Sequence, residues 1–139
     1  MNRLFAYGTL RDPEYQQALF GYRLTTQPAT LPDWAAVMGE NGYLTLIHAP
    51  GEAVSGELLD LDDDALALAD AWEDVDYERL QLEARDAGGS PLTAFVYVRP
   101  TALRERAPAG TFAQHPREHV LAAIARARAD YVRTKSESA

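Results

Sequence analysis

Cysteine is absent from this sequence of 139 residues. Its absence excludes disulfide bonds, a thiolate nucleophile and any metal site that depends on thiolate ligands. The sequence also lacks an apolar run of the roughly 18 residues that a membrane-spanning helix needs. Its N-terminus has neither the charged segment nor the apolar segment of a secretory signal. We therefore expect a cytoplasmic protein without a membrane partner.

Positive charge is scarce as well. Thirteen Lys and Arg residues stand against 21 Asp and Glu residues, and the formal net charge is −8. Nucleic-acid binding needs clustered Lys and Arg, so the composition argues against a nucleic-acid partner. Hydrophobic residues make up 47% of the chain, which is ordinary for a globular protein. We expect a single domain over residues 1–139.

The first half of the chain predicts a strand, a short helix and then irregular structure. The apolar run at residues 4–7 predicts a buried strand. Asp12 and Pro13 predict the N-cap and first residue of a helix that ends at Phe20 and is closed by Gly21. Residues 22–47 contain two prolines and two glycines, so we expect short strands and turns there.

The second half shows alternating periodicities. Residues 53–61, 77–84 and 91–98 alternate like strands, and a Gly-Gly pair at 88–89 predicts a hairpin between the last two. The spacing of Leu61, Ala65, Leu68 and Trp72 predicts an apolar helical stripe. A last helix is predicted at about 113–133, followed by a frayed tail at 134–139. This β-α-β-β-α-β-β-α order predicts the α+β class, as a small mixed β-barrel or sheet with flanking helices.

The turn after the first strand carries Tyr7, Gly8, Thr9 and Leu10. A strand that passes directly into a helix exposes backbone N–H groups, because the first helical donors have no partners within the helix. Gly8 permits either close approach of a ligand or a positive φ. Such amides bind a carboxylate or a polarised carbonyl oxygen. The alternative is that this segment is only a tight connection; it lacks the glycines and lysine of a phosphate-binding loop.

Glu73 follows Trp72 at the junction of a predicted helix and strand. A carboxyl group next to an indole and close to the core is partly desolvated, which raises its pKa and suits it to acid–base catalysis near neutral pH. The alternative is a solvated carboxylate at a helix end. Tyr77 and Arg79 share the polar face of the next strand, where either an aromatic wall or a salt bridge is expected.

These stretches resemble the gamma-glutamylcyclotransferase-like family, in particular its gamma-glutamylamine cyclotransferase branch. The matching residues are Tyr7-Gly8-Thr9-Leu10-Arg11 near the N-terminus, then Trp72-Glu73 and Tyr77-Glu78-Arg79. Residues 42–66 resemble the middle segment of the family, and the likeness extends from about residue 3 to about residue 99. Asp74 departs from the pattern, because the family usually has glycine at this position.

The resemblance implies cyclisation of a small gamma-glutamyl amine or peptide to 5-oxoproline with release of a free amine. It implies no metal and no organic cofactor, with Glu73 as the general acid/base. The substrate-binding residues implied are Tyr7, Gly8, Thr9 and Leu10 of the turn, together with Tyr77 and Tyr97; Arg79 is expected to be structural. Two alternatives stay open, a non-catalytic protein of the same fold that grips a small carboxylate and an amide hydrolase that uses the same pocket.

Two further sequence patterns could indicate a metal site. Residues 115–119 fit the His-x-x-Glu-His pattern of a metalloprotease, but Pro116 is placed at a predicted helix start and no third ligand is apparent, so a helix N-terminus is expected instead. Asp62, Asp63 and Asp64 could suggest Mg²⁺, yet capping and the helix dipole already favour aspartate at a helix start.

Overall fold

The computed structural model describes residues 1–101, 105–108 and 110–138. Within this part of the chain, five strands close into a barrel in the order β1-β3-β2-β4-β5, and three α-helices pack beside it. In chain order the elements are β1 (Asn2–Ala6), α1 (Pro13–Phe20), β2 (Thr26–Met38), β3 (Leu44–Leu61), α2 (Asp63–Glu73), β4 (Glu78–Asp86), β5 (Pro91–Val98) and α3 (Arg117–Ser138). The predicted order of strands and helices and the α+β class are confirmed.

The barrel closes through β1, which pairs antiparallel with β3 and parallel with β5. Successive side chains of a strand point to opposite faces, and β1 uses both. Phe5 and Tyr7 belong to the core inside the barrel. Leu4 and Ala6 belong to a second core, which all three helices form against the outer face of the barrel. Gly56 of β3 permits this close packing, since a Cβ there would lie 2.5 Å from the carbonyl oxygen of Ala6.

Residues 22–47 differ from the prediction of short strands and turns. Thr26–Met38 is one strand that pairs along β3, with an irregularity between Pro32 and Trp34. Pro32 is tolerated because it lies at this bulge, where Asp33 has φ 71°, and because β2 pairs with β4 only at Ala29 and Thr30. The predicted turn is confirmed at residues 39–43, where Gly42 has φ 84°.

The capping residues in the sequence predicted the starts of α1 and α2 correctly. The Asp12 side chain accepts hydrogen bonds from the amides of Glu14 and Tyr15, Pro13 opens α1, and Gly21 closes it with φ 86°. Asp62 caps α2 by accepting from the amide of Ala65 at 2.8 Å. The buried side of α2 differs slightly from the predicted stripe: Ala65, Leu66 and Ala69 are buried, while Leu68 and Trp72 are only partly buried.

The last helix begins and ends later than predicted. It spans Arg117–Ser138, so residues 134–138 are helical rather than frayed, and residue 139 lies outside the described part of the chain. An ion pair of 2.6 Å between Lys135 and Asp64 ties its final turns to α2. Val120 and Ile124 are fully buried against the other helices. No helix in the described residues is long and apolar enough to cross a membrane.

Candidate active site

A cavity of about 350 Å³ opens where the turn after β1 meets the C-terminal end of α2. The turn at residues 39–43, β5, the segment before α3 and α3 itself complete its walls. Every residue that the sequence analysis placed in the site lines this one cavity: Tyr7, Gly8, Thr9, Leu10, Glu73, Tyr77 and Tyr97. The structure therefore brings the two motifs together, whereas the roles of these residues stay predictions.

The turn contributes Gly8, Thr9 and Leu10 to the cavity wall. Gly8 precedes a short 3-10 helix at Thr9–Arg11, and its carbonyl accepts from the amide of Arg11 at 3.0 Å. The amides of Gly8, Thr9 and Leu10 have no acceptor among the residues that the structure describes. Gly8 has φ −123°, so of the two alternatives for this glycine the positive φ is excluded, and close approach of a ligand stays a prediction.

Trp72 joins the turn to the end of α2. Its indole N–H donates to the hydroxyl of Thr9 at 3.2 Å, and its ring contacts that of Tyr43 edge-on, with centroids 5.5 Å apart. Because Trp72 precedes Glu73, this contact places the helix end against the turn. A hydrogen bond between residues 63 positions apart thus links the two sequence motifs in space.

Glu73 is the last residue of α2 and is partly buried. Burial and, as the smaller cause, the nearby charge of Asp70 together raise the pKa of its carboxyl from 4.5 to about 8. The predicted rise in pKa is confirmed. A carboxyl with this pKa exchanges protons readily near neutral pH. Asp74, where the resemblance expects glycine, follows with φ 55°.

Three tyrosine hydroxyls of residues that line the cavity donate their protons to other groups of the protein. Tyr7 donates to the backbone carbonyl of Tyr97, Tyr77 donates to the carbonyl of Leu44 at 2.8 Å, and Tyr97 donates to a carboxylate oxygen of Asp70 at 2.6 Å. Burial raises the pKa of Tyr77 to about 12 and raises the pKa of Tyr7 and Tyr97 as well, so all three phenols are neutral. Each phenol has one proton, so each oxygen can only accept from the cavity.

Asn41, which lines the cavity, and Asp70, which accepts from Tyr97 and lies outside the cavity wall, were not predicted from the sequence. Asn41 lines the cavity, donates to the Tyr77 hydroxyl at 3.4 Å and accepts from the amide of Tyr43 at 3.2 Å. Its signal was an Asn-Gly turn between strands. Asp70 lies three residues before Glu73 on α2, a spacing that places two side chains on one helix face.

The remaining candidates have structural partners. Arg79 does not line the cavity; its guanidinium pairs with Asp70 at 3.0 Å and lies 4.7 Å from the centre of the Phe95 ring. The Nε2 atom of His115 lies 3.0 Å from the carbonyl oxygen of Asn41, and its ring stacks on that of His119. No group of three His, Asp or Glu side chains that could hold a metal ion occurs in the described residues.

The fold and the cavity define a small α+β barrel protein in which Glu73, Asp76 and turn amides with no acceptor among the described residues share a pocket of small-molecule size. Residues 4–115 match the family described as gamma-glutamyl cyclotransferase, AIG2-like, and the chain belongs to this family. Membership indicates an enzyme of the cyclotransferase type.

Individual relatives agree with this assignment. The chain is 34% identical over 103 residues to AIG2-like protein D of Arabidopsis thaliana, across 70% of this chain and 67% of that one. A crystal structure of an AIG2-like protein from Mus musculus matches with a TM-score of 0.62 at 22% identity, over 85% of this chain and 97% of that one. A structure of gamma-glutamyl cyclotransferase matches with a TM-score of 0.59 at 17% identity, over 71% and 66%. The two structural matches show the same fold.

Proposed function

We propose that this protein is a cyclotransferase that converts a small gamma-glutamyl amine or peptide into 5-oxoproline and a free amine. The observation that carries the proposal is the shared cavity, in which Glu73, with a pKa of about 8, lies together with the unpaired amides of the turn. One group can move a proton near neutral pH, and the other can hold an anion.

The reaction needs no nucleophile from the protein. The α-amine of the substrate attacks its own γ-carbonyl carbon, a new C–N bond closes the five-membered ring, and the original amide C–N bond breaks. Glu73 as a carboxylate takes a proton from the α-ammonium group and returns a proton to the departing nitrogen. The cavity contributes by holding the substrate in the folded conformation from which the ring closes.

In this mechanism the turn amides donate hydrogen bonds to a negatively charged group of the substrate. Gly8, Thr9 and Leu10 bind either the α-carboxylate or the oxyanion that develops on the γ-carbonyl. A preorganised backbone donor of this kind contributes on the order of 3 kcal/mol to transition-state stabilisation. The backbone suits this task in a cavity where no Arg, Lys or His side chain is among the described lining residues.

Incubation with gamma-glutamyl compounds, from gamma-glutamylmethylamide to gamma-glutamylalanine and gamma-glutamyl dipeptides, tests the proposal. We expect 5-oxoproline and the free amine in equal amounts, measured by chromatography. Release of glutamate in place of 5-oxoproline would identify an amide hydrolase. Binding without any product would identify a non-catalytic protein of the same fold.

Glu73→Gln tests the role of the carboxyl group. We expect turnover to fall by at least about a hundredfold, because an amide cannot relay the proton. The matched control is Glu83→Gln, an exposed glutamate on β4 that does not line the cavity; it should retain wild-type turnover. Turnover near the wild-type rate in Glu73→Gln would remove this residue from the mechanism.

A further inference from the structure

The hydroxyl of Tyr97 is held in a fixed direction by a residue outside the cavity. Tyr97 is buried on β5 and lines the cavity, and its oxygen lies 2.6 Å from Oδ1 of Asp70. A carboxylate can only accept a hydrogen bond, so the single proton of the phenol points to Asp70. The lone pairs that remain on the phenol oxygen are left for a donor in the cavity.

Arg79 holds the other oxygen of the same carboxylate. Its Nη1 atom lies 3.0 Å from Oδ2 of Asp70, and its guanidinium also lies over the ring of Phe95. With one oxygen taken by Tyr97 and the other by Arg79, the Asp70 carboxylate cannot rotate without losing a hydrogen bond. The chain Arg79–Asp70–Tyr97 therefore sets where the phenol proton points, although Arg79 and Asp70 do not line the cavity.

Other residues of the cavity wall also offer hydrogen-bond acceptors. Tyr7 and Tyr77 donate their protons to backbone carbonyls, so their oxygens too can only accept from the cavity. Two carboxyl groups, Glu73 and Asp76, are among the lining residues. These tyrosine and carboxyl oxygens border a space whose described lining residues include no Arg, Lys or His, and such acceptors favour a ligand with a positively charged donor.

We propose that Asp70 and Arg79 are positioning residues that keep the Tyr97 hydroxyl oxygen available as an acceptor for the α-ammonium group of the substrate. The inference rests on the proposed function, in which this ammonium group loses a proton to Glu73. Tyr97 holds the nitrogen in place while Glu73 takes its proton. Asp70 reaches the ammonium group through Tyr97, because Asp70 itself lies outside the cavity wall; its charge also raises the pKa of Glu73.

A double-mutant cycle on turnover tests this coupling, with each variant assayed at the plateau of its own pH profile. Asp70→Ala frees the phenol proton to turn into the cavity, and Tyr97→Phe removes the acceptor. We expect each single variant to raise KM about tenfold, the usual effect of losing a hydrogen bond to a charged group, with kcat changed less than threefold. The double variant should resemble Tyr97→Phe alone, because assay at each plateau removes the effect of the Asp70 charge on the pKa of Glu73. Additive effects of the two substitutions would overturn the inference.

A conservative variant separates positioning from a merely structural role. Asp70→Asn keeps a side-chain oxygen that can accept from Tyr97, so we expect its KM to stay within about threefold of wild type. Asp60→Ala is the matched control, since Asp60 is an exposed carboxylate paired with Arg3 away from the cavity. It should leave KM and kcat unchanged. A KM in Asp70→Asn as high as that of Asp70→Ala would contradict the inference.

Ligand binding tests the inference without turnover. L-glutamate carries the α-ammonium group, whereas N-acetyl-L-glutamate lacks it, and both can be titrated by chemical-shift changes. We expect the wild-type protein to bind L-glutamate at least about tenfold more tightly, and Asp70→Ala and Tyr97→Phe to lose this preference. If this result is obtained but no 5-oxoproline forms, the proposed function fails and the ammonium site stands. Equal wild-type affinity for the two ligands would overturn the inference even if turnover is found.

Discussion

At the scale of single residues, the cavity works through groups whose protons are constrained. Burial raises the pKa of the Glu73 carboxyl to about 8, and three phenols donate their protons to acceptors of the protein. The unpaired turn amides are the complementary donors. Under the proposed function, the acceptors hold the ammonium group of the substrate and the amides hold its carboxylate, which are the two charged groups of an α-amino acid.

The raised pKa of Glu73 has a consequence for stability. Its pKa in the folded protein, about 8, lies above the ordinary 4.5, so the folded state binds the extra proton between these values. The contribution of this proton to the free energy of unfolding is fully present below about pH 4.5. It is lost as pH rises through 8, and the free energy of unfolding falls by up to about 1.4 kcal/mol per pH unit. The side chain of the Glu73→Gln variant stays neutral at every pH. We therefore expect its free energy of unfolding, relative to that of the wild type, to be higher at pH 8.5 than at pH 5.5.

Urea unfolding of both proteins at these two pH values measures the difference. Glu83→Gln is again the control, because exposed Glu83 should give the same difference from wild type at both values. A difference between Glu73→Gln and wild type that does not change with pH would show that the Glu73 carboxyl is solvated in the folded state.

At the scale of elements, α2 ends at Glu73, which lines the cavity, and the next residue, Asp74, has a strained backbone conformation. Asp74 follows Glu73 with φ 55° and ψ −155°, a conformation that glycine adopts freely and other residues adopt at a cost of about 1–3 kcal/mol. The resemblance expects glycine at this position. The main chain still reaches this conformation with aspartate, and Glu73 still lines the cavity.

Asp74→Gly should relieve this strain. After the greater entropy of glycine in the unfolded chain is subtracted, we expect a net gain of about 1 kcal/mol in the free energy of unfolding. Asp74→Ala is the control, since alanine also has a Cβ and gains nothing from a positive φ. Thermal unfolding of the three proteins provides the comparison. Equal stabilisation by glycine and alanine would trace the effect to the lost carboxylate instead of the backbone.

At the scale of the whole molecule, α3 completes both the helical core and the cavity. Val120 and Ile124 are fully buried in the core that the three helices share with Leu4 and Ala6 of β1. Ala123, on the same helix, lines the cavity. Although the motifs lie in the first hundred residues, the helix after residue 116 therefore contributes to the packing that shapes the site.

Ile124→Ala should destabilise the protein by about 2–5 kcal/mol, because it removes a fully buried side chain and leaves a void between the helices. Val132→Ala on the exposed part of the same helix should change the free energy of unfolding by less than about 0.5 kcal/mol. Urea unfolding at neutral pH measures both. A loss of less than 1 kcal/mol in Ile124→Ala would mean that α3 is not a required part of the core.

Local sequence signals predicted much of this protein. Caps such as Asp12 and Gly21 act within one or two turns, and the alternation in β4 and β5 depends only on near neighbours, so these elements were predicted correctly. The full length of the β2–β3 pair was missed: residues 53–61 were predicted as a strand, but β3 begins at Leu44, and Thr26–Met38 is one strand. Whether a proline ends a strand depends on which neighbour the strand pairs with. At Pro32 a bulge removes the conflict.

The sequence by itself determined the order of strands and helices and a short strand-to-helix turn at residues 7–10, since short-range chemistry sets both. Only the tertiary structure decided that Asp70, Arg79 and Tyr97 form one chain of hydrogen bonds and that Asn41 and α3 share the cavity with Glu73. The physical reason is barrel closure. The pairing of β1 with both β3 and β5 brings distant residues within hydrogen-bonding range, and no pattern along the chain records those distances.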